Sequence, residues 1–113
     1  MNVKGKRVAS DIVKELGNLL LTEVKDEDLK NVTITFAEVS NDLSFAKIYF
    51  TTLDDLKRDK VIHDMNYAAK YFRTELAQRL DIRHMPELKF VYDESIEYGI
   101  KIEKMIDEIN KQD

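Results

Sequence analysis

The chain has 113 residues, with 18 Lys and Arg against 22 Asp and Glu, a formal charge of −4 and no Cys. That length holds one domain, residues 1–113, around a single core, and the lack of Cys excludes disulfides, thiolate metal sites and cysteine nucleophiles together. The opening Met1 to Arg7 is basic and polar, unlike a secretory signal, and no apolar stretch approaches the roughly 18 residues of a membrane span, so a cytoplasmic protein without membrane contact is expected.

Between Lys6 and about Val24, the residues Val8, Ile12, Leu16, Leu19 and Leu20 recur with helical period and predict an amphipathic helix, which the acidic, poorly periodic Lys25 to Lys30 ends. Asn31 to Val39 alternates Val32, Ile34 and Phe36 with Thr33, Thr35 and Ala37, a half-buried strand. After the turn-forming Ser40-Asn41-Asp42, a second alternating run from Phe45 to Leu53 completes a hairpin. Its outer face carries Phe45 and Tyr49 beside Lys47, aromatics for which partial cover by a helix or a chain end is expected. From Lys57 to Leu80 the set Ile62, Met65, Ala69, Phe72, Leu76 and Leu80 predicts a second long helix. Pro86 cannot continue a helix, and Leu88, Phe90 and Tyr92 alternate in a third strand. A last helix, capped by Asp93 or Ser95, carries Ile102, Met105, Ile106 and Ile109. The order is α-β-β-α-β-α, an α+β domain whose three strands need helices on one face and leave the other open.

The catalytic inventory is short. His63 and His84 are isolated, the three glycines are scattered at Gly5, Gly17 and Gly99, and the acidic runs Asp26-Glu27-Asp28 and Asp54-Asp55 lack the spacing of a calcium loop, so catalysis, metal and cofactor chemistry are not expected. Charge is more informative. Met1 to Lys14 carries +3, Glu15 to Leu56 carries −6, Lys57 to Lys89 carries +3 and the rest −4, so the total hides two basic stretches. With charges screened over about 8 Å, a phosphate backbone responds to a local patch and not to the distant total. In the second stretch Lys70, Arg73, Arg79, Arg83 and His84 follow one another along the later half of the long helix and the turn after it, with Tyr67 and Tyr71 interleaved. That pattern is read equally as a solvated helix face or as a surface for phosphates and stacked bases.

Several stretches together resemble the ribosome-binding factor A family over nearly the whole chain. Arg7-Val8-Ala9, Glu15-Leu16 and Glu23-Val24-Lys25-Asp26 are similar to its opening, and Val39-Ser40-Asn41-Asp42-Leu43-Ser44-Phe45-Ala46-Lys47 to its most distinctive stretch. Asn66, Ala68, Phe72-Arg73 and Leu76 resemble its central helix, followed by Arg83, Pro86-Glu87-Leu88, Phe90 and Tyr92-Asp93-Glu94-Ser95. The resemblance implies a type II KH-like domain, with a three-stranded sheet covered by helices on one face and a kinked central helix. It also implies a monomer that binds the small (30S) ribosomal subunit, assists late maturation and processing of 16S rRNA, supports growth in the cold and is not an enzyme.

The family marks its kink with Ala-x-Gly, whereas the corresponding residues here are Ala68, Ala69 and Lys70, all good helix formers. A bend imposed by packing is expected near Ala69. Lys6 and Arg7 are expected to contribute backbone contacts to RNA, Lys70, Arg73, Arg79 and Arg83 the main positive surface, and Asn66 and His84 to bind RNA at its two ends. The alternative is a protein-binding module that uses the acidic hairpin and the C-terminal helix without direct RNA contact.

Overall fold

The computed structural model describes residues 1–111. Helix α1 (Val3–Thr22) starts three residues before its predicted position, because the Asn2 side chain caps it by accepting a 2.8 Å hydrogen bond from the Gly5 N–H. All five of its predicted apolar residues are buried. The acidic segment after it is not irregular throughout: Asp26 caps a one-turn helix, α2 (Glu27–Lys30), whose Leu29 reaches the core.

Strands β1 (Val32–Val39) and β2 (Phe45–Thr52) pair antiparallel. Their register slips between Ile34 and Phe36, and this bulge corrects the predicted alternation. The extra residue reverses the facing of everything after it, so Ala37 and Val39 turn into the core while Phe36, expected there, is 48% exposed. On the open face Phe36 packs against Tyr49 with ring centroids 6.0 Å apart, and the chain end at Met1 shares a shallow hollow with Phe45 and Lys47. The cover on these aromatics is only partial: Tyr49 is half-buried beside Phe36, and Phe45, near the chain end at Met1, keeps 39% of its surface exposed.

The predicted long helix is two helices. A 3-10 turn (Asp55–Lys57) leads into α3 (Arg58–Tyr67), and α4 (Ala69–Arg79) follows directly. The chain breaks at Ala68, with φ −86° and ψ 5°, one residue before the expected bend. Val61, Met65, Phe72 and Leu76 are buried on the two helices, and Ile62, predicted in that set, is only half-buried. Strand β3 (Glu87–Tyr92) then lies parallel to β2, giving the order β1-β2-β3 with α1, α3 and α4 packed on one face. Phe50, Phe72 and Phe90 meet edge to face at its centre.

Helix α5 (Ser95–Lys111) leaves the end of β3 and buries none of its residues. Its root is held where the Asp93 carboxylate accepts from the Ser95 N–H and the Thr35 hydroxyl, and where Arg58, lying over the Tyr92 ring, pairs with Glu97. The projecting helix stretches the molecule to 58 × 35 × 19 Å, with a radius of gyration of 16.5 Å against about 13 Å for a compact chain of this length.

Candidate nucleic-acid interface

Why the chain breaks at Ala68 is visible in the side chains on either side of it. Local propensity favours continuation through Ala68-Ala69-Lys70, but the edge strand β3 offers backbone groups that no neighbouring strand satisfies. The Asn66 amide takes those of Phe90. Its Nδ2 donates to the Phe90 carbonyl at 3.0 Å and to Ile62 O at 3.1 Å, while its Oδ1 accepts from the Phe90 N–H at 2.9 Å. One turn beyond the break, Arg73 donates from Nε and Nη2 to the Met85 carbonyl at 3.1 and 2.9 Å. The two tethers fasten the end of α3 and the start of α4 to separate points on and before β3, and the bend lies between them.

These bonds revise the roles predicted for the two residues. Asn66 has both Nδ2 hydrogens and its carbonyl oxygen engaged by backbone, so it positions the break and has no free donor for RNA. Arg73 keeps its Nη1 end free after binding Met85, so it is both a tether and an exposed cation.

Ion pairing sorts the remaining bases of the stretch. Lys57 and Lys60 share the carboxylate of Asp28 at 2.8 and 3.1 Å, and Lys60 also reaches Asp64 at 2.8 Å, which fastens α2 to α3. Hydrogen bonds from Lys57 and then Lys60 hold the Asp28 carboxyl below its ordinary value; Asp28 in turn raises Lys57, while Lys60 is raised by Asp64 and then by Asp28. Arg58 is occupied by Glu97 and Asp55, and Arg79 lies 3.6 Å from Glu23 and 4.0 Å from Glu75. Of the cations expected to form the main positive surface, Arg79 is therefore set apart, turned toward the end of α1 by its carboxylate partners. Lys70, Arg73 and Arg83 have no ion pair among the described residues.

Those three lie on a connected surface. A groove beside the break is lined by Asn66, Lys70, Arg73 and Glu87; the next, over the α4 to β3 turn, is lined by Arg73, Gln78, Arg83 and His84. A third cleft, of about 420 Å³, carries Arg83 and His84 across to Lys4 on α1 and to the hairpin tip at Asp42 and Leu43. At that tip Leu43 adopts φ 62°, a conformation costly for a side chain of its kind. Asp42 holds the turn by accepting from the Ser44 hydroxyl, the Ser40 hydroxyl and the Ser44 N–H, and these bonds keep its carboxyl near 2. Beside the break, Tyr67 is 86% exposed and stacked on His63.

The first basic stretch divides. Lys6 lines a different, largely apolar groove between α1 and β1, together with Lys14, Val13 and Phe36, and Arg7 is exposed on α1. Lys4, which sequence reasoning passed over, is the member of that stretch that joins Arg83 and His84. Its signal was its place one helical turn before the buried Val8.

The fold and this surface define a small α+β domain: a mixed three-stranded sheet backed by a broken helix, with unpaired cations along the break and the turn that follows. The family model described as ribosome-binding factor A matches residues 4–106. The chain is 42% identical over 113 residues to the ribosome-binding factor A of Staphylococcus epidermidis, covering 99% of this chain and 97% of that one. It is 44% identical over 108 residues to that of Legionella pneumophila, covering 95% and 87%. The chain belongs to the ribosome-binding factor A family. Among solved structures, the crystal structure of ribosome-binding factor A from Thermus thermophilus superposes with a TM-score of 0.59 at 20% identity, covering 76% of this chain and 88% of that one. The solution structure of a Thermotoga maritima protein described as a putative ribosome binding factor A gives 0.57 at 24%, covering 78% and 81%. A Thermus thermophilus model fitted into the map of a 30S complex with the factor gives 0.56 at 20%, covering 74% and 93%. At these identities the structures bear on the fold.

Proposed function

We propose that this chain binds the small ribosomal subunit through 16S rRNA and assists its late maturation and processing, including at low temperature, as a type II KH-like domain acting in the cytoplasm. The observation that supports this reading is the sorting of charge. Lys57, Arg58, Lys60 and Arg79 are paired with carboxylates within the fold, while Lys70, Arg73 and Arg83 have no ion pair among the described residues and lie along one continuous surface with His84 and Lys4. Structured RNA is recognised largely through its backbone and shape, and three unpaired cations beside an exposed Tyr67 supply phosphate contacts and a stacking ring. Lys70 stands where the family's glycine would be and places a cation directly at the break. Arg7 and Lys6 contribute peripheral backbone contacts from α1. The complex of the Thermus thermophilus factor with 30S is consistent with this partner.

The test is binding of Lys70→Glu and Arg83→Glu variants to purified small subunits over a salt series. Each is expected to weaken binding and to reduce the slope of log affinity against log salt by about one unit, whereas Arg79→Glu has a smaller effect because that guanidinium already faces Glu23 and Glu75. Unchanged affinity and slope in both variants would overturn this surface.

A further inference from the structure

The sheet has a second edge, at β1, and it is closed less well than the first. Across the hairpin the Ser40 N–H donates to the Phe45 carbonyl at 2.9 Å. Backbone groups alternate in direction along an antiparallel strand, so Glu38 and Phe36 also face β2, while Ala37 and Val39 turn their N–H and carbonyl groups outward. At the β3 edge the Asn66 amide satisfies both groups of Phe90. At the β1 edge the Val39 N–H finds the Met1 sulfur, at 3.1 Å, a weak acceptor. The outward groups of Ala37 meet no partner among the described residues.

Beside this edge lies the groove between α1 and β1, of about 570 Å³. Ala9 and Val13 on α1 and Ala37 and Phe36 on β1 make it apolar. Lys6 and Lys14 also line it, two helical turns and so about 12 Å apart along α1. Neither has an ion pair, and no carboxylate lines the groove, among the described residues.

These features restrict the occupant. Outward N–H and carbonyl groups at alternate residues fit another extended backbone, which adds to a sheet by main-chain bonds. Two lysines without carboxylates fit acidic side chains. Side chains of an extended chain alternate between faces and rise about 3.3 Å per residue, so acids four positions apart share a face and stand about 13 Å apart, close to the spacing of the lysines. The residue midway between them then lies over Ala9 and Val13 and is apolar. A phosphate backbone would meet the lysines but has no ladder of donors and acceptors for Ala37 and Val39.

We propose that the groove between α1 and β1 binds an extended acidic peptide, which joins the sheet as a fourth strand by pairing with Ala37 and, once the Met1 side chain is displaced, with Val39. Its recognition pattern is an acid, an apolar residue and a second acid at alternate positions. This partner is additional to RNA, because β1 and β3 are opposite edges of the sheet and the break lies at β3.

The test is titration of the ¹⁵N-labelled full chain with a capped seven-residue peptide carrying glutamate at its second and sixth positions, valine at its fourth and threonine elsewhere. Saturable shifts and slowed hydrogen exchange are expected at the Ala37 and Val39 amides in the millimolar range, with Phe90 unaffected. Replacing both glutamates by lysine, or Lys14→Glu in the protein, is expected to weaken binding roughly ten-fold. Lys14 is exposed, so the unfolding temperature of that variant should be unchanged. N-methylation of one alternate set of peptide amides is expected to abolish binding and of the other set to spare it, since only one set faces β1. Undisturbed Ala37 and Val39 amides at millimolar acidic peptide overturn the proposal, as do equal binding of the glutamate and lysine peptides or of both N-methylated ones. An eight-nucleotide oligouridylate that shifts these amides where the peptide does not assigns the groove to RNA and overturns it as well. Lys14 is varied in place of Lys6, which is also given a contact to RNA, so the peptide groove and the surface at the break can fail separately.

Discussion

Helices α1 and α5 have the same kind of sequence and opposite fates. Both repeat Ile, Leu or Met at helical spacing with charges between, over 20 and 17 residues, and from periodicity alone either is an amphipathic helix that should lie on a sheet. Helix α1 does so, with Ile12, Leu16 and Leu19 fully buried, whereas α5 has no buried residue. The three-stranded sheet explains the difference: α1, α3 and α4 already cover its apolar face, and the opposite face is narrowed by the Phe36 and Tyr49 contact and by Met1 beside Phe45. A hydrophobic stripe states that something must cover it; which surface does so is decided by the space that remains.

The sharpest test of that contrast removes one buried and one exposed isoleucine. Ile12→Ala is expected to cost about 2–5 kcal/mol of unfolding free energy, a large share of the stability of a domain this size, whereas Ile102→Ala should leave thermal unfolding of the monomer unchanged. A comparable loss from both, measured in dilute solution, would mean that α5 packs on the body after all. Between these extremes stands the break. Asn66→Ala strips the Phe90 N–H and carbonyl of their partners and is expected to cost about 1–3 kcal/mol, with faster amide hydrogen exchange at Phe90 than at Ile48 on the central strand. Equal exchange in variant and native chain would remove Asn66 from its tethering role.

The smallest expected effect is at the hairpin tip, which closes one end of the cleft shared by Lys4 and Arg83. The Asp42 carboxyl titrates near 2 in the fold, below its ordinary value of 3.8, through the hydroxyls of Ser44 and Ser40. A depressed carboxyl stabilises the fold fully above its unfolded value, and that contribution is lost as pH falls from 3.8 toward 2. Asp42→Asn removes the titration, so its stability should decline less steeply over that interval; an unaltered acid limb would show that the serine bonds are absent in solution.

Much of the fold was legible because burial leaves a period. The three strands, α1 and the last helix stand where alternation and helical spacing put them, within a few residues. The bulge at Ile34 to Phe36 was not legible: Thr35 is an ordinary strand residue, and only pairing with β2 reveals that one residue too many is present. The break at Ala68 was expected, one residue on, only through the family resemblance: its three residues favour continuation, and the bend is held by Asn66 bonded to Phe90 in β3 and by Arg73 bonded to Met85 just before it, 24 and 12 positions away. The cations of the candidate site could be counted from the sequence but not sorted, because whether an arginine is free depends on distant carboxylates such as Glu23 for Arg79 and Glu97 for Arg58.

What the amino-acid order determined unaided was the α+β class, the element order, the two basic stretches and, through the ordered residues from Arg7 to Ser95, the ribosome-binding factor A family. These are properties of local spacing, carried by the chain before it folds. Tertiary structure decided which cations remain unpaired, where the long helix bends and which amphipathic helix goes uncovered. Each of those depends on groups far apart in sequence competing for the same backbone edge, carboxylate or sheet face, and that competition is resolved only when the chain has closed on itself.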